Sequence, residues 1–435
     1  MSLTTVGIIG IVLMLALMFL RMPLAVAMAL AGFAGFSYIA GLGEGLSMLS
    51  YTAYRTASNY AMCVLPLFVL MGILAGHAGL SEDAFYAVNK WLGHLPGGLA
   101  MATVGGCAAF GAVCGSSGAT AVTMCTVALP EMRRYKYADQ LSLGTISCGG
   151  GLGFMIPPSV AFIIYAFLTE VSIGSLFMAG ILPGVLIALL FMSAIYITCR
   201  RNPSFGPAGP RVSWRGRVVA LYRVWGIIAL FILVMGGMYG GIFAPSEAGA
   251  VGAFGALVLG LGKRRLTWKG FTASLSDTAR LTGMIFLIII GAAIFSYFMT
   301  ITEIPFALAE FIGGLSVHPT IVMSSLLIMY IILGFFMEIM AVIMLTVPII
   351  YPVLVTTGID PVWFGVLIVL TTMMAGITPP VGMVVYSVSA LVKDVPLFTI
   401  FRGVWPFLYA MLVAMVILIA FPQISLWLPG MMIPG

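Results

Sequence analysis

The chain has 435 residues, of which 62% are hydrophobic and only 7% charged, and its net charge is +6. Soluble domains carry roughly 25% charged residues, so this composition excludes a soluble enzyme or binding module and leaves no soluble domain of any size. The positive balance does not require an acidic partner, because basic residues concentrate in loops that stay cytoplasmic.

Spans of about 20 apolar residues leave room for around ten elements plus shorter pieces in a polytopic, all-α membrane protein. The first run, ending at Arg21, has no basic region ahead of its apolar stretch and reads as a retained span rather than a signal peptide. Cys63, Cys107, Cys114, Cys125, Cys148 and Cys199 fall in apolar or Gly-rich runs without CxxC or Cys/His spacing. They read as small packing residues, with no transition metal and no disulfide framework implied.

Charge sets the expected topology. Arg133, Arg134 and Lys136, six arginines from Arg200 to Arg223, Lys263 to Lys269 with Arg280, and Lys393 with Arg402 mark one, cytoplasmic side. Glu44, Glu170, Glu303, Glu310 and Asp360 occupy the short connections between them, on the opposite side. Counting back from Arg21 puts the N-terminus in the periplasm.

Two apolar stretches, 96–132 and 318–352, each begin and end on the same side by this count, as a re-entrant helical hairpin would. The tip of the first is Gly115-Ser116-Ser117-Gly118, where glycine permits sharp turns and the hydroxyls offer oxygen ligands. Each hairpin is followed by a paired proline in an apolar run: GFMIPPSVAFIIY at 153–165 and GITPPVGMVVY at 376–386. Proline interrupts a helix at a cost of about 3 kcal/mol, so the pairs predict broken helices over 137–168 and 361–390. Between the two sets, Glu247 in FAPSEAGAVG suits the first turn of a helix begun by Pro245 or Ser246.

The second set repeats the first. AVTMCTV at 121–127 is echoed by AVIMLTV at 341–347, and Ser175-Leu176-Phe177 before Gly180 and Pro183 by Pro396-Leu397-Phe398 before Gly403 and Pro406. The first proline pair lies on a span running outward to Glu170 and the second on one running inward to Lys393, so the repeats are inverted. Inverted repeats with interrupted helices mark a secondary transporter, with its site near the midplane where the breaks meet.

Unwound segments expose carbonyl oxygens suited to sodium, and half-helix N-termini attract anions. The candidate residues of the first half are Ser116, Ser117, Thr120, Gly149, Gly150, Gly153, Pro157 and Pro158. Those of the second are Gly334, Glu338, Thr346, Gly376, Thr378, Pro379 and Pro380. Small residues of this kind also serve close helix packing, whereas Glu338, ionisable at membrane depth, suggests function, as an ion ligand, a gate contact or a helix-end carboxylate. An enzyme is disfavoured. GSSG fits the GxSG pattern of intramembrane proteases, but no histidine stands on a neighbouring span, and HExxH, GxGD and Walker motifs are absent from the sequence.

FGAVCGSSGATAVTMCTVALPEM, GGGLGFMIPPSVAFIIY, GGMYGGIFAPSEAGAVGAFGAL, LGFFMEIMAVIMLTVPIIYPV and GITPPVGMVVYSVSAL together resemble the large membrane subunit of tripartite ATP-independent periplasmic (TRAP) transporters. The resemblance implies sodium-gradient-driven uptake of a small carboxylate-bearing solute across the inner membrane of a bacterium or archaeon. It implies an elevator mechanism, a periplasmic substrate-binding protein and a small four-helix membrane subunit as partners. No cofactor and no nucleic acid is implied; sodium ions are the coupling ions, and membrane lipid surrounds the chain. At the second hairpin this chain reads FFMEIMA where the family more commonly has aspartate followed by glycine.

On this reading 1–95 holds N-terminal scaffold spans and an arm helix, and 96–200 is the first transport-domain repeat. A cytoplasmic basic loop, scaffold spans and a second arm helix occupy 201–317, and 318–435 holds the second repeat with a C-terminal span. The moving part would include 96–200 and 318–400. The rival readings are a stand-alone ion-coupled organic or inorganic anion carrier of related fold, and a channel or membrane scaffold protein.

Overall fold

The computed structural model describes residues 2–314, 318–335, 337, 339–379 and 382–432. Glu338 and Pro380, two of the candidate residues, lie outside the described residues. Among the described residues every regular element is helical, and seven helices are long and apolar enough to cross a membrane, or eight if the bent Asp139–Met155 and Val160–Thr169 pair forms one span. Leu3–Phe19 and Leu24–Ala40 are a residue short of that standard at 17 residues each. The last arm of the expected second hairpin, Ile339–Thr357, meets it at 19 residues and stays helical through Pro348 and Pro352.

One group of helices is built around Trp268–Ile301, a 34-residue helix packed on Leu24–Ala40 and Val64–His77. Small residues let these backbones meet: a Cβ on Gly32 would lie 2.8 Å from the Cα of Phe295. Pro245–Gly262 packs on Val64–His77 and begins as its sequence suggests, with Glu247 Oε2 accepting the Ala244 N–H at 2.9 Å. Two amphipathic helices, Leu42–Ala57 and Leu80–Leu92, flank this group. Asp83 of the second is buried and accepts from Lys263 Nζ at 2.6 Å and Arg265 Nη1 at 3.4 Å.

The other group contains the repeats. Gly98–Cys114 and Ser117–Arg134 pair as the first hairpin, and Pro319–Gly334 and Ile339–Thr357 form the second. The first broken helix runs Asp139–Gly150, Leu152–Met155 and Val160–Thr169, bending by 41° at the proline pair, whose Pro157–Pro158 peptide is cis. The second runs Pro361–Ala375 and Met383–Leu391.

Equivalent parts of the repeats meet each other. A Cβ on Gly151 would lie 2.6 Å from Met373, joining the two breaks. Ile173–Arg201 and Leu397–Ala420, the echoed helices, touch through Phe191 and Phe407, whose rings stand edge to face at 5.1 Å. The symmetry extends to single residues. Gly111 meets Gly153 backbone to backbone, and Gly334 meets Ala375, positions 223 and 222 residues later.

Candidate functional site

The first hairpin turns at Gly115, whose φ of +66° is left-handed backbone that glycine adopts at no steric cost. The turn is two residues long. Gly98–Cys114 ends before it, and Ser116 caps the next helix, its Oγ accepting the Ala119 N–H at 3.5 Å. Ser117 and Gly118, expected within the tip, are already the first turn of that helix.

This tip docks onto the first break. The Val160 N–H donates to the Gly115 carbonyl at 3.2 Å, and a Cβ on Gly115 would lie 2.6 Å from the Pro158 carbonyl oxygen. Ser159 caps Val160–Thr169; its Oγ donates to the Phe154 carbonyl at 2.5 Å and accepts the Phe162 N–H at 3.5 Å. Two helix N-termini, at Ser117 and Val160, therefore converge beside the carbonyl end of Gly98–Cys114. Their partial charges suit an anion and a cation held close together.

Gly153 sits at the contact: a Cβ there would be 2.7 Å from Thr120 Oγ1 and 2.8 Å from the Ser116 carbonyl oxygen. Ser117 and Thr120 are buried; the Ser117 hydroxyl has no hydrogen-bond partner, and that of Thr120 has only the weak thiol of Cys114 beside it. Thr145 and Ser147, on Asp139–Gly150, are buried and unpartnered in the same way. A buried unpaired hydroxyl costs about 1–3 kcal/mol, and native folds seldom keep several without a ligand or water.

The structure thus brings together Ser116, Ser117, Thr120, Gly153 and Pro158, with Pro157 buried next to them. Gly149 and Gly150 stand apart from the tip. They pack on the hairpin arms: a Cβ on Gly149 would lie 3.0 Å from Cys107 Sγ, and one on Gly150 2.5 Å from Ala121 Cβ. Ser159 is an addition; the hydroxyl inside the apolar run PPSVAFIIY was the signal for it.

The second half is arranged differently. Gly334 and Gly376 are in contact with Ala375 and Ile339, so this hairpin also meets its break. Thr346 lies along the hairpin arm, bonded to the Tyr330 hydroxyl and the Val342 carbonyl at 2.6 Å each. Thr378 donates to the Met374 carbonyl at 2.6 Å, and Pro379 follows it at the break. Thr346 and Thr378 are satisfied by oxygen partners within the protein, while Ser117 and Thr120 are not.

A cavity of about 150 Å³ separates the tip from the neighbouring helices, lined by Cys114, Ser116, Phe154, Val160, Met340 and Met344 among others. It is largely apolar, and Ser116 is its one candidate residue. A second cavity of about 310 Å³ leads from Cys114 and Ala119 past Thr123 to His77 and Glu82. Away from the spans, Arg133 joins the hairpin to both broken helices, pairing with Asp139 at 3.0 Å and Asp394 at 2.8 Å. The hydrogen bond to Asp139 raises its already high pKa. Tyr137 donates to the Pro207 carbonyl at 2.9 Å, and burial pushes its phenol up to about 12.

The chain matches the family model described as the tripartite ATP-independent periplasmic transporter, DctM component, over residues 11–424. It is 34% identical to a C4-dicarboxylate TRAP transporter large permease protein of Pseudomonas aeruginosa, across 89% of this chain and 90% of that one. It is 32% identical to the ectoine TRAP transporter large permease protein of Halomonas elongata, across 95% and 97%. Its fold is similar to the crystal structure of the YdaH transporter of Alcanivorax borkumensis, with a TM-score of 0.60 at 14% identity across 88% and 89% of the two chains.

Proposed function

The chain belongs to the DctM-component family of tripartite ATP-independent periplasmic transporters, and from that premise we propose that it takes up a small carboxylate-bearing solute driven by a sodium gradient. It is a multi-pass inner-membrane permease rather than an enzyme, and works in solute transport with a periplasmic binding protein.

The observation that carries the sodium reading is the pair of buried hydroxyls, Ser117 and Thr120, at the docked tip, which no protein oxygen or nitrogen satisfies. Oxygen ligands suit a hard cation, and the two adjacent helix N-termini suit a carboxylate. The relatives are named for a C4-dicarboxylate and for ectoine, which differ in charge and shape but both bear a carboxylate. The binding protein delivers the solute, and a small membrane subunit on a separate polypeptide braces the scaffold. We assign residues 96–200 and 318–400 to an elevator that carries the tip past the Trp268–Ile301 helix, with both hairpins re-entrant and the N-terminus periplasmic. Pairing of the repeats with each other, through Gly151 and Met373 and through Phe191 and Phe407, supports one moving body.

The test is reconstitution of the chain with its small subunit and binding protein, followed by uptake of a panel of labelled carboxylates against an imposed sodium gradient. Uptake should require all three proteins and collapse without sodium. Sodium-independent uptake, or uptake by the chain alone, would refute the proposal in favour of a stand-alone carrier.

A further inference from the structure

We infer that the outer mouth of this permease carries a second, carboxylate-capturing site centred on Arg55. A cavity of about 400 Å³ opens there, between Thr52, Arg55, Asn59 and Tyr297 on one wall and Phe167 and Glu170 on the other. No residue of the first hairpin tip or of the proline break lines it.

The Arg55 guanidinium reaches the Tyr297 hydroxyl through Nη1 at 3.5 Å and lies 5.9 Å from the centroid of the Tyr51 ring. Among the described residues it forms no ion pair, and it lines the cavity. Thr52 stands three residues earlier, on the same face of Leu42–Ala57. It is 2% exposed, and its hydroxyl has no partner.

The Arg55 side chain fits a carboxylate: the planar fork of arginine pairs with both of its oxygens. Glu170, on the facing wall, keeps the anion on the Arg55 side by repulsion. The walls come from different bodies, because Thr52, Arg55 and Tyr297 belong to the fixed helices and Phe167 and Glu170 to the moving repeat. The site is therefore placed to receive a solute before it reaches the tip. Its location rests on the topology proposed above, which puts Leu42–Ala57 and Glu170 on the periplasmic side.

The test is site-directed labelling of the assembled membrane complex in right-side-out vesicles. In a background with Cys63→Ser, Ala61→Cys places a thiol on the cavity wall. It is reacted with an anionic sulfonatoethyl or a cationic trimethylammonium-ethyl methanethiosulfonate. With Arg55 present the anionic reagent should react faster, and millimolar acetate should slow it. Arg55→Gln should lower the anionic rate on the order of tenfold, leave the cationic rate within about twofold, and abolish protection by acetate. Arg55→Lys should retain the rate and lose most of the protection. An unchanged ratio of rates in Arg55→Gln, or no effect of acetate on the parent, overturns the site. Labelling needs neither sodium nor binding protein, so a failed uptake experiment leaves this result intact. Labelling only from the cytoplasmic side overturns the topology on which both rest.

Discussion

Gly153→Ala probes the docking of tip on break most directly. The added Cβ would stand 2.7 Å from Thr120 Oγ1, 2.8 Å from the Ser116 carbonyl oxygen and 3.1 Å from its carbon. Ordinary contact begins near 3.4 Å, so each oxygen must retreat by about 0.6 Å. Neither yields easily. One belongs to a β-branched side chain inside a helix and the other is backbone. Overpacking of this kind destabilises by about 1–3 kcal/mol. Because the displaced oxygens are the proposed sodium ligands, about 1.4 kcal/mol of that lost on binding raises the half-saturating sodium concentration tenfold. Gly118→Ala is the internal control: it lies in the first turn of Ser117–Arg134, and a Cβ there meets nothing within 4 Å. That variant should be neutral or stabilised by up to about 1 kcal/mol. The assay is sodium-dependent uptake in proteoliposomes, paired with the thermal midpoint of the purified complex. If Gly153→Ala matches the parent in both, the tip does not hold the ion at this contact.

Thr120→Val and Thr346→Val should separate the two halves. The first removes an unpartnered hydroxyl, so without sodium the protein should be equally or more stable by up to about 1 kcal/mol, yet need more sodium for uptake. Thr346→Val leaves the buried Tyr330 hydroxyl unpaired and should destabilise by about 1–3 kcal/mol with sodium dependence unchanged. Reversal of those signs in thermal melts with and without sodium counts against the assignment. Asp83→Asn strands Lys263 beside a buried site and should lower stability by about 1–3 kcal/mol, less than for a fully buried pair because Arg265 is partly exposed. Arg133→Gln breaks two half-exposed ion pairs and should cost less than about 1 kcal/mol, a loss that 1 M salt erases; a larger or salt-independent loss in the melt would contradict that estimate.

The sequence by itself determined the membrane class, the two hairpins, the two breaks and their repetition. Each rests on a local rule: apolar length, proline without a donor, glycine at a left-handed turn, and motifs returning at nearly one offset. Ser116 as a tip residue and Glu247 as a helix-start carboxylate were legible for the same reason, since capping is decided within four residues. Which hydroxyls remain unpartnered was not legible. Thr120 and Thr346 both lie on the second arms of their hairpins, although the repeat aligns Thr346 with Thr126; Tyr330 is present to bond Thr346, whereas Thr120 has only the weak thiol of Cys114 beside it. Gly149, Gly150 and Gly153 look alike in GGGLG, and only packing sets the first two against hairpin arms and the third against the tip. Arg55 is one charge in the amphipathic helix Leu42–Ala57, with no local motif to single it out. Its cavity exists only because residues about 240 positions apart in the chain, Arg55 and Tyr297, fold to one wall. Local chemistry names the parts, whereas partnership across long separations depends on the tertiary structure, which alone settles which polar atoms are left for a ligand.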